Sequence, residues 1–142
     1  MYNALTLSKY IVTKCVNDGY PISNLQLQKI LYFIQKDFLT RGSIAFSDDI
    51  EAWQFGPVVP NTYYRFCGFG AMPITDTYPN TSESITPDDR QIVDSIVESK
   101  RVLRPWDLVS QTHSPDGAWA KTFKNGVGNR AVISPELISS ED

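Results

Sequence analysis

The stretch Glu51 to Phe66, E-A-W-Q-F-G-P-V-V-P-N-T-Y-Y-R-F, limits most severely what this chain can fold into. Proline fixes φ, removes a backbone donor and pushes the residue before it out of the helical region. Gly56-Pro57-Val58-Val59-Pro60 therefore reads as a stiff, extended bridge that cannot be helical throughout. Trp53, Phe55, Tyr63, Tyr64 and Phe66 crowd around it. Stiff backbone beside large aromatics is costly to order unless a core or a partner packs on it. Ile50, Ala52 and Val58 suit the core, and Trp53, Phe55, Pro57 and Tyr63 suit a surface.

The rest of the chain supplies the helices. Thr6 can cap a first one running to about Asn17, with Leu7, Ile11 and Cys15 on one stripe and Gly19 and Pro21 closing it. Ser23-x-x-Gln26 is a capping box for a second, Leu25 to Leu39, ending at Gly42. Leu27, Ile30, Leu31, Ile34, Phe38 and Leu39 make its face wide enough for a central core helix, with Gln28, Gln35 and Lys36 turned the other way. Ile50 to Gln54 reads as a short strand and Asn61 to Phe66 as one or two helical turns.

Ala71 to Ser84, rich in Pro, Thr, Asn and Ser, reads as the longest loop, mobile and open to proteolytic nicking. Thr86-Pro87-Asp88-Asp89 is a strong helix start, with Ile92, Val93, Ile96 and Val97 as the core stripe and Lys100 and Arg101 at the positive-charge end. Pro105 can begin a helix carrying Trp106, Leu108 and Val109. Trp119 to Phe123 reads as a short helix, Ala131 to Ile133 as a second short strand, and Ser134-Pro135-Glu136 as a further helix start. The expectation is a mainly α, single compact domain spanning 1–142, with five to six helices and at most a short two-stranded β element.

Composition narrows the chemistry. Apolar residues make up 42% and charged residues 20% of 142, enough for one core without disulfides or metals. A net charge of -3 provides no basic field for a phosphate backbone, so nucleic acid is not expected as the main ligand. No basic-then-apolar leader opens the chain and no apolar run reaches the roughly 20 residues that span a bilayer, so a cytoplasmic, membrane-free protein is expected. Cys15 and Cys67 are expected as free thiols.

His113 is the only histidine, so any histidine-dependent catalysis must use it, with Cys15 or Cys67 as nucleophile. Cys15 sits on an apolar stripe, however, and Cys67 beside a glycine turn. One His and two separated Cys do not make a zinc site, and no metal or cofactor is expected. The carboxylate pairs Asp48-Asp49, Asp88-Asp89 and Glu141-Asp142 read as a polar loop, a helix-dipole partner and a solvated tail. Gly126-Val127-Gly128-Asn129 is too short for a phosphate fingerprint. The three tryptophans can be core or interface anchors; sequence leaves both open.

L-Q-L-Q-K-I-L-Y-F-I-Q at Leu25 to Gln35, I-E-A-W-Q-F-G-P-V-V-P-N-T-Y at Ile50 to Tyr63, Thr112-His113-Ser114-Pro115 and Ala118-Trp119 together resemble the Panacea domain, the SocA-like or GepA-like phage-associated antitoxins. The resemblance runs from about Leu7 to Ile138. It departs at S-P-D-G-A before Trp119, where a proline directly before the tryptophan would be expected, and in a shortened closing helix.

The resemblance implies a non-enzymatic antitoxin that neutralises a cognate protein toxin by direct contact, with a cytoplasmic protease as a further partner where the toxin is delivered for degradation. The surface expected to meet the partner comprises Trp53, Phe55, Gly56, Pro57, Val59, Pro60 and Tyr63, with Thr112, His113 and Trp119. The alternatives are a phage or mobile-element protein acting on a host factor, a Cys/His-dependent hydrolase, and a promoter-binding autoregulator, the last disfavoured by the acidic balance.

Overall fold

Helix α2, Asn24–Thr40, begins at the capping box read from sequence: Ser23 accepts from Gln26 N, and the Gln26 side chain accepts from Ser23 N. It is buried on nearly every side because the other elements pack around it. The computed structural model describes residues 1–141. In chain order they form α1 (Ala4–Asn17), α2, strands β1 (Glu51–Trp53) and β2 (Gly56–Val58), then helices α3 (Pro60–Phe66), α4 (Pro87–Lys100), α5 (Pro105–Thr112), α6 (Ala118–Phe123) and α7 (Pro135–Ser140). Short 3-10 turns lie at Cys67–Phe69, Thr81–Ser84 and Lys124–Gly126. The protein is mainly helical, with one short two-stranded sheet, as its sequence leads one to expect. Among the described residues no helix is long and apolar enough to cross a membrane.

The core is one cluster built on α2. Leu27, Ile30, Leu31 and Ile34 meet Leu7, Ile11 and Cys15 of α1, Val93 and Val97 of α4, and Ile138 of α7. Gln28 (1% exposed) and Gln35 (5%) are buried, which corrects the expected outward face for these two while Lys36 is half-buried, and Lys29 (0%) is buried with them. Each of the three buried residues is used to bind main chain. Gln35 donates to Phe46 O (2.7 Å) and accepts from Ala45 N (2.9 Å). Gln28 accepts from Val59 N (2.9 Å), and Lys29 donates to Pro57 O (3.1 Å). Irregular backbone laid against a helix has polar groups that neither water nor a ladder can serve, and leaving them bare costs more than burying an amide.

Several boundaries differ from expectation for local reasons. α1 starts at Ala4 because Asn3 caps it, accepting from Leu5 N, while Asp48 Oδ1 reaches back to accept from Ala4 N (3.0 Å). Asp48 is thus a structural cap rather than part of a merely polar loop. Gly56–Val58 is the second strand, paired antiparallel with β1 in the register Ala52↔Pro57. The segment Ala131 to Ile133, expected as that strand, lies on the other edge of the hairpin: Ala52 N donates to Ala131 O, and Ile133 N to Ile50 O, both at 2.8 Å. Pro57 fits an outer strand because that position spends no donor on a further neighbour.

The long loop expected to be loose is fastened twice: Ile74 is fully buried with its N–H on Ile22 O (2.8 Å), and Tyr78 N donates to Thr13 Oγ1 (2.9 Å). The closing pair expected as a solvated tail is not one at Glu141; Asp142 lies outside the described residues. Glu141 accepts from Tyr32 OH (2.6 Å) and Ala118 N (3.2 Å) and pairs with Lys36 (3.3 Å), so the carboxylate ties α2, α6 and the residue after α7 together.

Replacing Gln28 by leucine strands Val59 N–H and removes the donor on Asn24 Oδ1 inside the protein, while the Thr62 hydroxyl keeps Val59 O. Urea unfolding is expected to show a loss of about 1–3 kcal/mol. Exposed Gln54→Leu should stay within about 0.5 kcal/mol of the parent. Equal effects would contradict the buried-amide account.

Candidate functional site

The hairpin β1–β2 is the element that gathers the aromatic residues, and its seat on α2 decides where each one points. Gly56 has φ +115, a conformation other residues rarely adopt, and a Cβ there would lie 2.9 Å from both Lys29 Cε and Thr112 Oγ1. Only glycine lets the strand settle this deeply. Lys29 then takes Pro57 O, and Gln28 takes Val59 N. The Gln28 amide also donates to Thr62 Oγ1 and Asn24 Oδ1, both at 3.0 Å, and Asn24 Nδ2 donates to Tyr63 O (3.1 Å). The start of α3 is locked by the same network.

Three aromatic groups radiate from this seat. Behind the hairpin, the His113 ring stacks on Trp119 (3.7 Å between centroids, 6° between planes), and Trp119 stacks on Phe123 (4.7 Å). Trp119 Nε1 donates to Trp53 O (2.7 Å), which ties that column to β1. In front, Trp53 meets Tyr63 edge-on at 4.9 Å, with Tyr64 beside both. Arg130 lies over the Trp53 ring (4.3 Å) and reaches Tyr64 OH (3.2 Å). At the hairpin turn, Phe55 meets Trp106 of α5 edge-on at 5.4 Å; the two are 47% and 60% exposed. Between the turn, α2, α3 and the Arg130 segment opens a groove of about 480 Å3, walled by Leu25, Lys29, Trp53, Phe55, Tyr63 and Arg130.

The ten residues expected to meet a partner therefore separate into layers. Phe55 is exposed, and Trp53 and Tyr63 are half-buried on the groove. His113 and Trp119 are half-buried in the stacked column, and Pro60 is half-buried as the first residue of α3. Gly56, Pro57, Val59 and Thr112 are buried. For those four the surface expectation is corrected: their contribution is the shape of the hairpin, since no partner can touch them while it is seated. Ile50, Ala52 and Val58 are buried, as the alternation along the stretch suggested.

Sequence reasoning missed Tyr64, Trp106 and Arg130 as surface residues and Lys29 as a buried one. Trp106 had no signal that separated it from the other two tryptophans. Arg130 had none.

Electrostatically the seat is unusual. Burial pushes the Lys29 ammonium down to about 7, and it makes no ion pair among the described residues. Burial, then the nearby Lys29 charge, lowers His113, with a backbone group of Phe55 acting the opposite way. His113 Nε2 is buried without a hydrogen-bond partner among the described residues, and it bonds neither thiol. Cys15 is buried beside Arg101, and Cys67 Sγ donates to Tyr64 O. Among the described residues no group of three or more His, Cys, Asp or Glu is placed to hold a metal ion. The arrangement offers contact area and shape rather than a nucleophile–base pair.

Residues 27–120 match the family model described as antitoxin SocA-like, Panacea domain. The chain is 28% identical over 137 residues to a Caulobacter vibrioides (strain NA1000 / CB15N) protein described as Antitoxin SocA, covering 89% of this chain and 72% of that relative. No solved structure matches the chain.

The buried lysine gives the site a pH signature. Below about pH 7 both folded and unfolded chains hold Lys29 charged, and the full penalty of burying that charge opposes folding. Between about 7 and the ordinary lysine value of ~10.4, the unfolded chain keeps a proton that the folded chain has released. Stability should therefore rise with pH, by on the order of 1 kcal/mol per unit from this group. Unfolding of the parent and of Lys29→Met between pH 7 and 9 isolates it: the stability difference between the two should change steadily in the parent's favour. A constant difference would show that Lys29 is not desolvated.

Proposed function

The chain belongs to the SocA-like Panacea domain family of antitoxins, and from that premise we propose that it neutralises a protein toxin by direct contact, without catalysis, through the face centred on the hairpin. The observation that carries this reading is the exposed pair of Phe55, at the turn of a hairpin bolted to the central helix, and Trp106 of α5, with Trp53, Tyr63 and Tyr64 clustered on the groove side. Large aromatics left in solvent on rigid backbone are the usual anchors of protein interfaces. Little conformational freedom is lost when such a face is covered, because the hairpin is held before the partner arrives.

The relative's description as an antitoxin supports a toxin as that partner. The same face could hold the toxin in an inactive complex or present it for degradation, and the amount of toxin present during rescue distinguishes these outcomes. Unchanged toxin means sequestration; falling toxin means delivery.

Co-expression with the product of an adjacent reading frame, scored by growth and by co-purification, tests the reading. Phe55→Ala and Trp106→Ala should each weaken the complex by about 2 kcal/mol or more, roughly thirtyfold, and lose growth rescue. Tyr20→Ala, another exposed aromatic, should leave both unchanged. Full rescue by folded Phe55→Ala and Trp106→Ala would refute the assignment of this face.

A further inference from the structure

The groove beside this face carries two cations and, among its wall residues, no carboxylate. That composition runs against a chain whose net charge is -3. Lys29 lines the wall yet is fully buried, and its ammonium spends one of three donors, on Pro57 O. Arg130 stands at the rim above Trp53, with no ion pair among the described residues. Glu51, the acid on the hairpin, is engaged by Trp53 Nε1 (2.9 Å). The neighbouring Gln28 amide is spent on Val59 N, Thr62 Oγ1 and Asn24 Oδ1, and the buried Asn24 amide donates to Tyr63 O.

We propose that this groove takes an acidic side chain carried on an apolar segment of the toxin, with the exposed Arg130 as the cation it meets, Lys29 as a buried positive charge behind the wall and Trp53, Phe55 and Tyr63 covering the flanking apolar residues. The proposal rests on the reading of this face as the toxin-binding one. A buried ammonium without a counter-charge is costly, and a carboxylate brought into the groove would relieve that cost as it binds. The burial that lowers the Lys29 pKa is consistent with the same deficit. A side chain fits better than a chain terminus, which is generally captured by successive backbone N–H groups; here the donors are side chains and Val59 N–H is already spent.

The test uses three peptides of sequence Leu-Phe-Glu-Leu-Phe or its Gln twin, added to the full chain while the Trp53 indole N–H resonance is followed. The Glu peptide, blocked at both ends, should bind at least tenfold tighter than the blocked Gln twin. The Gln twin with a free C-terminus should bind no better than when blocked. The Glu preference should vanish in Arg130→Gln, whose exposed site tolerates the change, and fall severalfold in Lys29→Met.

Equal binding of Glu and Gln peptides, a preference for the free C-terminus, or no binding at millimolar peptide would overturn the proposal. If the preference fails while Phe55→Ala still loses growth rescue, the toxin-binding reading survives without it. If the preference holds while Phe55→Ala still rescues, the groove binds acidic segments and the toxin-facing surface lies elsewhere.

Discussion

The structure depends on side chains of one helix binding the backbone of segments that are not themselves regular. α2 is surrounded, so Gln28, Lys29 and Gln35 cannot reach water, and each is matched to main chain laid against it: Gln28 to Val59, Lys29 to Pro57, Gln35 to Ala45 and Phe46. A hydrophobic core alone would hold these segments near the helix without fixing their register. The amide and ammonium contacts fix it, because each loses its full desolvation free energy if the segment slides. Gly56 completes the seat by letting the strand approach until a methyl group would collide with Lys29 and Thr112.

The aromatic face follows from that seat. With Pro57 and Val59 anchored, the two-residue turn at Gln54 and Phe55 must project past α5, where Phe55 finds Trp106. The stacked column of His113, Trp119 and Phe123 braces β1 from behind through the Trp119–Trp53 hydrogen bond. Glu141 braces the same column at its root by capping the start of α6 while held by Tyr32 and Lys36. The surface that faces outward is thus supported by a second layer of residues behind it, and change in either layer alters it.

Local signals made much of this legible. The capping box at Ser23 and Gln26, the Thr86-Pro87 start and the apolar stripes of α1, α2 and α4 all depend on neighbours within a turn, and the structure follows them. The buried Gln28, Lys29 and Gln35 were illegible because their partners lie ten to thirty residues away, in segments with no periodicity. Polar residues there look like a solvated face to any helical projection. β2 was hidden by its own proline and glycine, which read as a bridge until β1 is seen beside it. The stretch Glu51 to Phe66 was legible as a stiff aromatic element, but its division into a buried floor of Gly56, Pro57 and Val59 and an exposed rim of Phe55 needed coordinates.

The central claim is that a preformed, α2-seated hairpin presents the surface that the toxin covers. Hydrogen exchange of the protein with and without its toxin addresses it most directly. The account predicts slow exchange of the Val59 amide in both states, with new protection confined to the hairpin, α3 and α5. Fast exchange at Val59 in the free protein, or new protection centred on α4 or on residues 71–84, would contradict it.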